Sequence, residues 1–350
     1  MTEIALNREE LVYSGRIDQK NPLKPEFIFP ASSLHFRFWG RKAVLKVENR
    51  SFYWDNYAGA VVDGIQKKWL LEKEGQTVIP LVEEEEEKEH DILFFKRQDS
   101  CHEMILCTLL LSQGAVLLPA PLKPKRKIEV YGDSVSAGEV SEATAYTGKE
   151  DPVHHGQYSN SWYSYGWMTA RILNARIHDI AQGGIALMDG TGYFQEPRAL
   201  GMESVWDKVH YASNPEEESY WDFSQYTPDA VIVAVGQNDS HPWDYMREDF
   251  DREKGIKWRE HYKTFLKKLR RQYPQAYIIC CTTLLNHDGA WDDAIERACQ
   301  EISDNRVSHF TFRRNGKGTP GHLRIGEARE MAVELAAYME AVVYGKGRIS

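Results

Sequence analysis

Four short blocks hold the residue types that acyl transfer through a hydroxyl requires, and each lies at the end of an apolar run or just before a helical pattern. Gly132-Asp133-Ser134 follows Ile128-Glu129-Val130-Tyr131, so a serine stands at the carboxyl edge of a short strand, where a small turn lifts its hydroxyl into a cleft. Gln182-Gly183-Gly184 comes soon after the strand-like Ala175-Arg176-Ile177-His178. Paired glycines let the backbone approach a ligand and aim an N–H at developing negative charge. Gly236-Gln237-Asn238-Asp239 closes the apolar run 230–235 and offers a side-chain amide for the same charge. Gly318-Thr319-Pro320-Gly321-His322 sets an imidazole on a loop ahead of the last helix, where it can serve as a general base. Any one block alone is ordinary turn chemistry. In this order they supply a nucleophile, its base and a set of oxyanion donors.

Two kinds of element must position these residues. From residue 26 to about 118 the apolar runs are short and rich in β-branched and aromatic residues, as in Leu34-His35-Phe36-Arg37-Phe38 and Ala43-Val44-Leu45-Lys46-Val47. Turn signals such as Trp39-Gly40 and Asp63-Gly64 separate them, which predicts an antiparallel β-sandwich. The acidic run 83–87 reads as a solvated strand edge or loop. Pro119-Ala120-Pro121-Leu122-Lys123-Pro124 is a stiff connector, and we expect one domain over 1–122 and a second over 123–350. In the second, strands at 128–131, 228–235 and 276–281 alternate with helices at 161–173, 259–273, 291–302 and 326–343, which predicts a parallel sheet covered on both faces.

With 43 basic against 52 acidic residues the net charge is −9, which argues against nucleic acid or an anionic membrane surface as partner. No stretch is long and apolar enough to span a bilayer. The first residues do not read as a signal peptide, and five cysteines, at 101, 107, 280, 281 and 299, read as buried thiols of a reducing compartment. A cytoplasmic protein is expected.

The four blocks resemble those of the SGNH, or GDSL-type, hydrolases, a family named for serine, glycine, asparagine and histidine, matched here by Ser134, Gly184, Asn238 and His322. Gly236-Gln237-Asn238-Asp239 and Ser159-Asn160-Ser161-Trp162-Tyr163 are similar to a narrower group, carbohydrate esterase family 2, in which a small β-domain precedes the hydrolase domain. The resemblance implies a flavodoxin-like three-layer α/β domain behind a jelly-roll-like β-sandwich. It implies an acetylesterase acting on acetylated xylo- or manno-oligosaccharides, with no cofactor and no metal. Ser134 is then the nucleophile, His322 the base, and the Ser134 N–H, Gly184 N–H and Asn238 amide the oxyanion hole, with Gly183 an alternative to Gly184. Most SGNH hydrolases carry an aspartate three residues before the histidine. Thr319 stands there in this chain, so a Ser134–His322 dyad is expected, with a backbone carbonyl or another group steering the imidazole. His241 and Trp243, just beyond Asn238, are candidate substrate contacts, Trp243 as a flat platform for a sugar ring. Asp133 and Asp239 read as structural, bonding the turns that hold Ser134 and Asn238. A general short-chain carboxylesterase or thioesterase, and a carbohydrate-binding protein with an inactive hydrolase domain, are the alternative readings.

Overall fold

The computed structural model describes residues 1–211, 216 and 218–345. Ten strands between Thr2 and Leu117 join in one antiparallel network whose backbone is two long partners, Ser33–Ser51 and Gln76–Lys96. The first buries Leu34, Phe36 and Phe38 along its start and Ala43, Leu45 and Val47 along its end. Because side chains alternate faces along a strand, changing from even to odd positions needs one extra residue, and the pairing register slips between Gly40 and Lys42. The start of the strand pairs with 88–95, the end with 76–83 and with His102–Leu111, so one strand serves both layers. Both halves turn their apolar side chains into a single core with Ile79, Ile92, Phe94 and Leu106, as a β-sandwich requires. Residues 83–89 are exposed along the Gln76–Lys96 strand, which makes the acidic run a solvated edge.

The second sheet has five parallel strands in the spatial order Ala175–Ala181, Arg126–Gly132, Ala230–Ala234, Tyr277–Cys280, Val307–His309. Alternate residues of these strands feed two cores. Tyr131, Val231, Val233 and Ile278 meet Trp258, Tyr262, Phe265 and Trp291 of the helices Glu253–Gln272 and Ala290–Ile302. Val130, Ile232 and Ile279 meet Tyr165, Met331 and Leu335 of the helices Tyr165–Ile172 and Ile325–Met339. The result is a three-layer α/β fold of the 2-1-3-4-5 type, whose carboxyl edge is the place for ligands. Each predicted helix is present, with the first opening as a 3-10 turn at Ser161–Tyr163 before Ser164 caps Tyr165–Ile172.

The sandwich and the α/β layers share buried contacts. Arg16, fully buried, donates to the carbonyls of Trp206 (2.6 Å) and Lys208 (3.1 Å) and to the Tyr131 hydroxyl (3.1 Å). Phe95 packs on Trp162 and Trp167, so those two tryptophans are core. His210 joins the halves as well, its Nδ1 lying 3.0 Å from Glu103 and its Nε2 3.0 Å from Asp18. Burial alone would push this imidazole down, but the bonds to Asp18 and Glu103 outweigh it and raise it to about 9. A raised histidine stabilises fully below its unfolded value near 6.5 and loses that contribution as pH climbs through about 9. We therefore expect the melting temperature of wild type to fall from pH 7 to pH 10, by on the order of 2–3 kcal/mol of stability, and to fall much less in His210→Gln. Equal slopes in thermal scans of the two proteins would contradict this role.

Candidate active site

Ser134 opens the short helix Ser134–Ala137 directly after the Arg126–Gly132 strand, with Asp133 as the capping residue that accepts from the Val135 N–H. Gly138 ends the helix in the left-handed region (φ +75), where a Cβ would stand 2.5 Å from the Asn160 carbonyl oxygen, so the turn needs glycine. That turn sends Glu139 back beside Ser134, its N–H donating to the Ser134 carbonyl at 2.9 Å.

Ser134, Gly184, Asn238 and His322 line one cleft of roughly 750 Å³, a size that suits a small ligand. Much of its wall is aromatic: Phe52, Tyr53 and Trp54 from the sandwich, Tyr193 and Phe194 from the α/β layers. His322 enters on its loop with Nδ1 2.6 Å from Asp151 Oδ2, while its own backbone N–H also donates to that carboxylate. Asp151 is held in turn by the Arg324 guanidinium at 2.8 Å. Burial raises Asp151, yet the bonds and charges of His322 and Arg324 win and leave it at about 2, ionised at neutral pH. Burial lowers His322, and the negative charges of Glu139 and Asp151 reverse this, bringing it up to about 9.

Thr319 does not steer the imidazole. Its hydroxyl accepts from the Gly148 N–H and its own N–H donates to Glu327. The expectation of a two-membered arrangement is therefore corrected by geometry: a carboxylate stands on Nδ1, supplied by a loop 171 residues upstream. Local spacing around His322 carries no sign of it.

The adjacent glycines are distinguished by their amides. Gly183 donates its N–H to Asp99 Oδ2 at 2.7 Å, which leaves Gly184 as the candidate donor to a bound oxyanion. Asp99 belongs to the sandwich, and the same oxygen accepts from the Tyr53 hydroxyl (2.7 Å) and from Gln182 (2.8 Å), so one carboxylate ties the glycine loop to the aromatic wall. Gly184 has φ +71, and a Cβ there would lie 2.8 Å from Tyr193 Cβ. Gly184→Ala is expected to lower kcat about 100-fold through the displaced N–H, measured on an aryl acetate; a loss under about three-fold would remove Gly184 from the oxyanion hole. Asn238 donates through Nδ2 to the Ile185 carbonyl at 3.0 Å and more loosely to Asp133 Oδ2 at 3.2 Å. Asp133 also accepts from Gln237, and Asp239 accepts from the Leu187 and Met188 N–H groups, so both carboxylates hold turns.

Two candidate contacts lie elsewhere. Trp243 is 57% exposed and is not among the cleft-lining residues, its ring lying under the Lys254 ammonium at 3.6 Å. His241 stacks on Tyr193, ring centroids 4.0 Å apart, and does not line the cleft itself. The aromatic wall was foreshadowed by the consecutive Phe52-Tyr53-Trp54, flanked by Ser51 and Asp55 outside a clean strand alternation.

Residues 13–121 match the family described as "Carbohydrate esterase 2 N-terminal". The chain is 28% identical over 338 residues to Cellulase/esterase CelE of Acetivibrio thermocellus, an alignment covering 93% of this chain and 39% of CelE. It is 25% identical over 344 residues to an acetylxylan esterase / glucomannan deacetylase of Cellvibrio japonicus, covering 97% of this chain and 91% of that protein. A solved family two carbohydrate esterase from Clostridium thermocellum, in complex with cellohexaose, superposes with a TM-score of 0.79 at 26% identity, covering 95% of this chain and 98% of that one. The chain is similar to family 2 carbohydrate esterases along its whole length. The likeness spans both the sandwich and the α/β layers, and a solved GDSL-like protein from Bacteroides ovatus shares the fold, with a TM-score of 0.55 at 16% identity over 90% of this chain and 85% of that one. Because the match reaches only 39% of CelE, it bears on one part of that larger protein.

Proposed function

We propose that the protein is a serine esterase that removes O-acetyl groups from acetylated sugars, xylo- or manno-oligosaccharides in particular. The observation that carries this reading is the convergence of Ser134, Gly184, Asn238 and His322 on one aromatic cleft, with Asp151 seated on the far nitrogen of the imidazole. Ser134 Oγ attacks the acetyl carbonyl and its proton passes to His322 Nε2. Asp151 keeps Nδ1 protonated and stabilises the imidazolium so formed. The oxyanion takes hydrogen bonds from the Ser134 and Gly184 N–H groups and from the Asn238 amide, which gives up its longer bond to Asp133; each donor contributes about 3 kcal/mol in the transition state. Collapse breaks the bond to the sugar oxygen, which leaves with the proton from Nε2. Water, deprotonated by His322, then releases acetate and restores Ser134.

Within this reading residues 1–122 form a jelly-roll-like support and 123–350 the catalytic domain, a division consistent with the last antiparallel strand at Val116–Leu117 and the first parallel one at Arg126–Gly132. Tyr53 and Asp99 make the support part of the site rather than an appendage. No described helix is long and apolar enough to cross a membrane. Five free cysteines support a cytoplasmic setting and hence short, soluble substrates.

A side-by-side assay of acetylated xylo-oligosaccharides against acetyl and butyryl nitrophenyl esters tests the substrate class. The reading expects a higher kcat/KM on the sugar acetates; higher values on butyryl than on acetyl-sugar esters would replace it by a general short-chain esterase.

A further inference from the structure

Glu139 is the one cleft carboxylate beside the nucleophile that the acyl-transfer steps leave unused. Its side chain is 11% exposed, and Oε2 lies 3.8 Å from His322 Nε2, the atom that must deliver a proton to the departing alcohol. No described residue donates a hydrogen bond to it. The groups facing it are His322 and Asp151 from the base side, Asp133 from the nucleophile strand, and Asp99 from the sandwich, so the sole cation among them already belongs to Asp151. A buried acceptor without a donor is costly unless a ligand supplies one. Gln195 and Glu196 also line the cleft, but Glu139 is the carboxylate placed 3.8 Å from His322 Nε2, and with Phe52, Tyr53, Trp54 and Leu285 apolar or aromatic it is the polar feature positioned to discriminate among departing alcohols.

We propose that Glu139 is a specificity-determining residue that accepts a hydrogen bond from a second, free hydroxyl of the alcohol being released, so the cleft selects monoesters of polyols such as sugar rings. The inference rests on the esterase reading and adds the feature of the alcohol that is recognised. The placement follows from proton delivery: an alcohol oxygen within reach of Nε2 is also close to Oε2, and a hydroxyl on a nearby carbon of the same ring then meets the carboxylate. Simple alcohols present nothing to satisfy it. A site built to bond a hydroxyl rejects the analogue lacking it far better than an apolar pocket rejects an extra group.

The test compares three probes on wild type, Glu139→Ala and Glu139→Gln: a methyl xyloside monoacetate with its other hydroxyls free, the same monoacetate with the neighbouring hydroxyls replaced by hydrogen, and nitrophenyl acetate. At pH 8 to 9, where Glu139, raised by burial to about 7, is ionised, wild type should prefer the hydroxylated over the deoxy sugar by about 30-fold or more in kcat/KM, a charged hydrogen bond's worth, and Glu139→Ala should collapse that ratio to below about three-fold. Glu139→Gln, which keeps a carbonyl acceptor, should fall between. The ratio is insensitive to any general effect of the variant on His322. A ratio unchanged in Glu139→Ala, or a wild type that hydrolyses both sugars alike, overturns the role of Glu139. Hydrolysis of nitrophenyl acetate with neither sugar ester taken also overturns it, while failure on all three probes rejects the esterase reading beneath it.

Discussion

Asp151→Asn is expected to lower kcat by about 10⁴-fold while Thr319→Ala stays within about three-fold of wild type, because the first change removes the acceptor that fixes the imidazole tautomer and the second does not touch the ring. An amide at 151 can place either its oxygen or its NH₂ against Nδ1. With the NH₂ there, Nε2 carries the proton and cannot accept one from Ser134. Losing the Asp151 charge also lowers the imidazole, which is brought up to about 9 by Glu139 and Asp151 against the effect of burial. In wild type the base must be deprotonated, so kcat/KM should rise with pH toward about 9; in Asp151→Asn the residual activity should level off at lower pH. Kinetics on nitrophenyl acetate across pH 5 to 10 check both parts. Small losses from both Asp151→Asn and Thr319→Ala would restore the two-membered arrangement, and a large loss from Thr319→Ala with little from Asp151→Asn would make Thr319 the third member. Since Asp151 also holds Arg324 and the His322 backbone, thermal melting of the variant separates misfolding from loss of tautomer control.

How much of this was legible in the sequence depends on distance along the chain. Ser134, Gly184 and Asn238 stand at strand ends, where an apolar run followed by glycine marks the carboxyl edge of a parallel sheet, and the structure does gather them with His322. Asp151 lies in the stretch Gly148-Lys149-Glu150-Asp151-Pro152, which has neither apolar period nor a fixed offset from His322. Only folding pairs the two. The choice between Gly183 and Gly184 turns on Asp99, a residue of the other layer system, and so could not be made from the glycine pair itself. Trp243 is near Asn238 in sequence but does not line the cleft: Lys254 lies over its ring, and the aromatic wall comes from Phe52, Tyr53 and Trp54 of the sandwich with Tyr193 and Phe194. In the sandwich, the runs around Phe36 and Leu45 read as two strands with a turn at Trp39-Gly40, whereas they form the single strand Ser33–Ser51 with a register slip at Gly40, which hydrophobic pattern alone does not announce.

The central claim is that Ser134 carries acetyl from a sugar. The most direct measurement is acetate released from acetylated xylo-oligosaccharides by wild type and by Ser134→Ala at equal concentration. Without the hydroxyl no acetyl-enzyme can form, and what remains is binding and an empty oxyanion hole, so the variant should lose about 10⁴- to 10⁶-fold in kcat. His322→Ala should lose a similar amount and the double variant scarcely more, since nucleophile and base act as a unit. Acetate release by wild type that vanishes in Ser134→Ala is the predicted result. Release that persists in Ser134→Ala, or none from wild type under conditions where it is folded, would contradict the account.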